Sequence, residues 1–224
     1  MLCDLHIHTS YSYDGLDSPQ KIVKTALSRN LNCICITDHN ETKGAVEALH
    51  FAFDKSILII PGIEIKSKEG DILGINVKEK IENNLSAKET IKKIEKLGGV
   101  AVFAHPFGFL CNFKGSLKQL IDDYRDLGLG IEVLNASVVG NGNKKALDFA
   151  QKSNLFYTAG SDAHSAKFVG KVYLEIKKDN LSEDEVLEEI KKRNVSFGGK
   201  SGDFLEKIND HLKRSFAKLN HLQK

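Results

Sequence analysis

Five of the eight histidines (His6, His8, His39, His105 and His164) stand at the ends of short apolar runs, in a chain that also offers Asp14, Asp38, Glu64, Asp71, Glu132 and Asp162 near similar runs. In Leu2-Cys-Asp-Leu-His-Ile-His8 an extended backbone puts Asp4, His6 and His8 on one face and Leu5 and Ile7 on the other. Two neutral imidazoles about 7 Å apart along a strand can grip one divalent ion if carboxylates arrive from elsewhere. Thr37 and His39, Phe103 and His105, and Asp162 and His164 share faces in the same way. Imidazole nitrogen with carboxylate oxygen suits Zn, Mn or Fe and selects against thiolate chemistry. A single strand histidine is ordinarily a hydrogen-bonded core residue. Burying five beside acids without a cation would cost about 1–3 kcal/mol for every polar group left unsatisfied.

Such residues need a scaffold that gathers strand ends, and the pattern supplies one. Strands are expected at Leu2–His8, Asn32–Thr37, Ile57–Ile65, Val100–Ala104, Gly130–Leu134, Leu155–Ala159 and Lys171–Ile176, with Asp71–Val77 extending or returning the third. Helices are expected from Pro19 with Ser18 as N-cap, over Lys43–Phe53, from Ser86 to Leu97 with Glu89 closing a capping box, near Ser116–Leu127 and Lys144–Lys152, and over Leu181–Lys192. Repeating strand–helix units without a Gly/Pro-rich linker predict an α/β fold: a parallel sheet closed into a TIM-like barrel, a single domain, with a doubly wound open sheet as the alternative. Barrel active sites lie at the C-terminal ends of the strands, where these histidines fall.

Composition agrees. The 224 residues are 41% hydrophobic and 28% charged, with net charge +2, so the chain folds around a core and is no dedicated basic nucleic-acid binder. The longest apolar run, Ile57–Ile63, is far short of the roughly 20 residues of a membrane span, and Met1–His6 has no signal-peptide character. A cytoplasmic protein with no membrane partner is expected. Cys3, Cys33, Cys35 and Cys111 form no CxxC pair and read as small core residues. No GxxxxGK[ST] loop and no Ser-His-Asp or Cys-His nucleophile motif competes with a metal reading.

His6-Ile-His8-Thr9, Thr37-Asp38-His39-Asn40, Gly62-Ile63-Glu64, Ala104-His105-Pro106 and Gly160-Ser-Asp-Ala-His164 together resemble the polymerase and histidinol phosphatase (PHP) family over roughly residues 1–170. The resemblance implies a distorted (β/α)7 barrel and a site of two or three divalent metal ions that hydrolyses phosphate esters. Carried over by position, His6, His8, Glu64 and Asp162 resemble the ligands of one metal. Glu64 would bridge to a second, held by His105, and Asp14, His39 and His164 resemble the set for a third. Asp71, before Ile72-Leu73-Gly74, stands where a histidine is usual and would replace that imidazole. Glu64, Asp162 and His164 are the expected catalytic residues. Glu132, in Ile131-Glu-Val-Leu-Asn135, matches a further family block and would touch metal or substrate, or brace a residue that does.

Two departures from the family pattern bear on substrate. The stretch from Glu64 to His105 leaves no room for the domain that several relatives insert there, so a more open site is expected. His105-Pro106 is followed by Phe107-Gly108-Phe109 rather than by the arginine common in related phosphatases, so phosphate recognition must come from elsewhere, with Lys114, Lys144 and Lys167 as candidates. The expected division is a metallo-barrel over 1–200 and an amphipathic helix over 201–224 packed on it, its stripe Phe204, Leu205, Ile208, Leu212, Phe216 and Leu219. The expected activity is hydrolysis of a small phosphomonoester or nucleotide through metal-activated water. A nuclease acting on single-stranded or terminal nucleic acid, a non-catalytic metal-binding regulatory module, and hydrolysis of a C–N bond are the alternatives.

Overall fold

The computed structural model describes residues 1–108, 127–200 and 213–215. Cys111, Lys114, most of the helix expected at Ser116–Leu127 and all but one turn of the expected tail helix lie outside the described residues. Nine strands form one sheet: β1 (Leu2–Ile7), β2 (Cys33–Ile36), β3 (Leu58–Lys66), β4 (Asp71–Ile75), β5 (Val100–Phe103), β6 (Leu129–Asn135), β7 (Tyr157–Gly160), β8 (Val172–Ile176) and β9 (Val195–Gly199). Their order is β7-β6-β5-β4-β3-β2-β1-β8-β9. Helices α1 (Pro19–Ser28), α2 (Lys43–Ala52), α3 (Ala87–Lys96), α4 (Gly142–Ser153) and α5 (Glu183–Lys191) fall where the sequence places them. The Ser86–Glu89 capping box forms, and Ser182 with Glu185 makes a second one ahead of α5.

The curved sheet nearly closes on itself because β1 serves two neighbours. Its lower end, Leu2 and Cys3, pairs with β8. Its upper end meets the chain leaving β7: the Asp162 N–H donates to the His6 carbonyl at 2.8 Å and the His8 N–H to the Ala163 carbonyl at 2.8 Å. Gly160 permits this approach, since a Cβ there would lie 2.5 Å from His6 Cβ and 2.7 Å from His6 N. The barrel therefore comprises β1–β7, with β8 and β9 as an antiparallel extension.

Of the two readings of Asp71–Val77 the return holds, since β4 runs antiparallel to both β3 and β5; with β8 antiparallel to β1, the sheet is mixed rather than parallel throughout. The reason is the connection. Ser67 to Gly70 is a tight turn closed by the Ser67 N–H on the Gly70 carbonyl at 3.0 Å, whereas a parallel crossover needs a dozen or more residues. The reversal has a functional consequence. Asp71 pairs with Lys66, so the start of β4 sits at the same barrel end as the finish of β3.

Apolar residues divide into an inner cluster, including Cys3, Leu5, Cys33, Cys35, Ile60 and Val102, and two outer ones beneath the helices. Cys33 and Cys35 face inward while Ile34 and Ile36 pack under α1 and α2, as alternation requires. In β1 the alternation breaks. Leu5 joins the inner cluster but Ile7 an outer one, because the register against β2 slips between Asp4 and Ile7. Among the described residues no helix is long and apolar enough to cross a membrane.

Candidate metal centre

All five strand-end histidines meet at the C-terminal mouth of the barrel. His6 and His8 are fully buried, His164 nearly so, and the His39 and His105 side chains keep 17% exposure, which marks the open side. The His6 and His8 Nε2 atoms lie 3.1 Å apart, far closer than their spacing along an extended strand suggests. Glu64 Oε2 is 3.3 Å from His8 Nε2 and 3.0 Å from His39 Nδ1, and Glu64 Oε1 is 3.1 Å from His105 Nε2. Asp162 Oδ1 is 3.5 Å from His8 Nε2 and 3.6 Å from His6 Nε2. His164 stacks on His8 with ring centroids 4.1 Å apart, and its Nε2 lies 3.3 Å from Asp14 Oδ2.

The outer nitrogens of His6 and His8 are spoken for, and that decides what the inner ones present. The Glu132 carboxylate accepts from His6 Nδ1 at 3.1 Å, from the His105 backbone N–H at 2.9 Å and from Asn135 Nδ2 at 2.9 Å. Ser12 donates its hydroxyl proton to Asp38 Oδ1 at 3.0 Å, so its oxygen accepts from the His39 N–H at 2.9 Å and from His8 Nδ1 at 2.9 Å. Asp38 is held in turn by the Thr9 N–H at 2.6 Å and the Thr9 hydroxyl at 2.7 Å. Both imidazoles thus carry their proton on Nδ1 when neutral, and both Nε2 lone pairs face one another and two carboxylates. Partners of this kind fix tautomer and ring orientation around metal ions.

Charge tells the same story. Burial alone would push the pKa of His6 down, but Glu132, Asp162 and Glu64 outweigh it and hold it well above its ordinary value. Burial likewise opposes the charged form of His8 and of His105, yet Asp162 and Glu64 push His8 up to about 9, and Glu64 pushes His105 up to about 9. Glu64 and Asp162 are held well below the usual carboxylate range, burial being overcome by His39, His6 and His105 for the first and by His6, His8 and His164 for the second. Protons are drawn onto imidazoles that face concentrated negative charge, which is the environment a divalent cation would replace.

Three groups each bring their donor atoms within 4.8 Å of one another: His8, His39 and His164; His6, Glu64 and His105; and His6, His8 and Asp162. The residues fit divalent ions on a further observation. Asp14 Oδ1 is buried, accepts no hydrogen bond and lies 3.7 Å from His39 Nε2. Two residues of the cluster also hold positive φ, His105 at 31° and Asp162 at 51°, a region that residues with a Cβ enter at a cost of about 1–3 kcal/mol.

Asp71 lies outside the three groups. Half-buried at the start of β4, it stands at the rim of the cluster; burial and the Glu64 charge raise its pKa, against the lowering effect of His105 and His39. Glu132 braces His6 and His105 rather than joining a group. Lys144 is exposed on α4. Lys167 is exposed on the 3-10 turn Ala166–Phe168, its Nζ 5.3 Å over the Phe168 ring, and borders a groove of ≈ 550 Å³ lined also by Asp17, Lys21, Arg29 and Lys213, none of which is a cluster residue. Sequence reasoning missed Ser12 and Asn135, which the motif blocks contain or adjoin. It also missed Arg214, whose Nη2 donates to Asp14 Oδ2 at 2.9 Å and to His164 Nε2 at 2.7 Å. Nothing in the tail's apolar stripe signals that reach.

Comparison with known proteins gives this geometry a lineage. Residues 140–195 match the PHP-associated family. The fold superposes with TM-score 0.76 on a two-domain protein of Bacteroides vulgatus containing a predicted PHP-like metal-dependent phosphoesterase, at 20% identity, covering 89% of this chain and 65% of that one. An uncharacterized protein of Methanocaldococcus jannaschii is 36% identical over 174 residues, 70% of this chain and 98% of its own length. The chain belongs to the PHP family of metal-dependent phosphoesterases. Another relative, a "probable phosphatase" of Vibrio campbellii, is 25% identical over 206 residues, 76% of this chain and 80% of its own length. The PHP assignment agrees with the expected barrel, its seven strands and its mouth of histidines.

Proposed function

We propose that the protein hydrolyses small phosphate esters, phosphomonoesters or nucleotides, with two or three divalent ions held at the barrel mouth. The observation that carries this is the pair of Nε2 lone pairs, His6 and His8, locked by Glu132 and Ser12 to face Glu64 and Asp162. His6, His8 and Asp162 would hold one ion, and His105 a second, with Glu64 shared between them. Asp14, His39 and His164 would hold a third on the open side. Such ions supply Lewis acidity, lower the pKa of a water and clamp phosphoryl oxygens.

The chain's own residues do the rest. The Glu64 carboxyl is held well below the usual carboxylate range, because His39, His6 and His105 outweigh its burial. His164 donates from Nδ1 to the Asp162 carbonyl at 3.0 Å, which leaves its Nε2 as an acceptor. Burial, Arg214 and His8 push its pKa down to about 3, so it stays neutral as a ligand. Tyr13 stacks on His39 with centroids 4.8 Å apart and remains 39% exposed, forming part of the entrance.

The test is turnover of metal-loaded protein on a panel holding phosphomonoesters, a nucleotide monophosphate, a dinucleotide and a short RNA. Cleavage of monoesters is the expected outcome. Activity confined to the RNA would replace this reading with a nuclease. No hydrolysis at full metal content would leave a non-catalytic metal module.

A further inference from the structure

Arg214 enters the candidate site from the far end of the sequence, 200 residues from Asp14 and 50 from His164. Its side chain is 24% exposed, so the guanidinium is largely enclosed at the mouth yet reachable. Two neighbours orient it. Asp14 Oδ2 accepts from Nη2 at 2.9 Å, and His164 Nε2, whose ring gives its Nδ1 proton to the Asp162 carbonyl, accepts at 2.7 Å. Among the described residues Arg214 is the cationic side chain whose hydrogen bonds to the cluster the structure shows. The position after His105-Pro106 carries Phe107 and Gly108; of the candidate lysines, Lys144 is exposed on α4, Lys167 borders the neighbouring groove and Lys114 lies outside the described residues.

We infer that Arg214 is the phosphate-binding residue of this site, donated by the C-terminal part of the chain to the subsite beside Asp14 and His164. The inference rests on the phosphoesterase reading above. Guanidinium is permanently charged, planar and forked, which matches a phosphoryl group through paired N–H donors as a lysine cannot. The carboxylates Asp14, Glu64 and Asp162 crowd the mouth with negative charge, so an incoming dianion needs a fixed positive partner there besides the ions. Arg214 meets that need beside Asp14 and His164. With an ion on Asp14 Oδ1 and His164 Nε2 the Asp14 Oδ2 contact persists and anchors the arginine, while the donor now on His164 is released to the phosphoryl oxygens.

Titration calorimetry of inorganic phosphate into metal-loaded wild type, R214K and R214A, with metal content measured on the same samples, tests this. R214A is expected to weaken phosphate about tenfold or more and R214K less, at unchanged metal per chain, as loss of a charge-assisted pair predicts. For any ester that is turned over, R214A should raise KM more than it lowers kcat. If R214A does not fold, R214Q carries the same comparison. Phosphate affinity unchanged in R214A overturns the inference. An extra equivalent of metal bound by R214A without loss of phosphate affinity also overturns it, and shows the guanidinium standing where a cation would. Wild type that binds no phosphate overturns it too. Phosphate binding that depends on Arg214 without hydrolysis of any ester would keep this subsite and reject the esterase reading.

Discussion

Replacing Glu132 by Gln isolates the tautomer lock, because the substitution keeps shape and removes charge. The carboxylate takes three N–H donors, one on Oε1 from His6 and two on Oε2 from His105 and Asn135. A Gln oxygen placed at the Oε2 position keeps two of them and turns its amide NH₂ toward His6 Nδ1. That contact is a hydrogen bond only if His6 moves its proton to Nε2, which puts an N–H where a lone pair should face the cluster. The reverse orientation sets NH₂ against two donors and is worse. The cheaper arrangement loses one charge-assisted bond, about 1.5–3 kcal/mol. At about 1.4 kcal/mol per factor of ten this is roughly a 10- to 100-fold loss of metal affinity, the range usual for partners of this kind. Chelator competition with Zn or Mn on wild type and Glu132→Gln measures it, with circular dichroism to confirm the fold. Wild-type affinity in a folded Glu132→Gln protein would refute the lone-pair reasoning.

Glu64→Gln should cut activity by orders of magnitude and lower metal content, since Glu64 reaches His8, His39 and His105 at once; Asp71→Asn at the rim should cost less, and full activity in Glu64→Gln would remove its shared role. With metals chelated, His8 and His105 add stability that is complete below about pH 6.5, the ordinary histidine value, and lost as pH rises through about 9. Glu64 and Asp162 have depressed pKa values, so their contribution is present above roughly pH 4 and fades as pH falls below it. Melting temperature of the chelated protein should therefore drop between pH 6.5 and 9, while the metal-loaded protein should hold or gain, because the ligands bind metal deprotonated. Equal slopes in the two samples would count against metal binding at these imidazoles. Gly160→Ala should destabilise by about 1–3 kcal/mol through the clash with His6, read as a melting shift together with weaker metal binding; an unshifted melt would show that the closure gives way freely.

The sequence by itself determined the elements and the ligand-bearing residues, because both follow from short-range rules. Ser18-Pro19 and Ser86 with Glu89 start helices through local capping, and alternation sorts Cys33 and Cys35 from Ile34 and Ile36. His6, His8, His39, His105 and His164 were legible as a set because a barrel brings strand ends together whatever their distance in sequence. Where the local rules gave out, tertiary contacts decided. The slip in β1 depends on two different neighbours sharing one strand, β8 below and the chain after β7 above. The proton positions of His6 and His8 depend on Glu132 and Ser12, and the strained backbone of His105 and Asp162 on closure around them. Arg214 is the clearest case: in sequence it is one basic residue in an amphipathic tail, and only the folded chain sets it between Asp14 and His164. Electrostatics between groups 200 and 50 residues apart leaves no mark on local pattern, so three dimensions alone could reveal it.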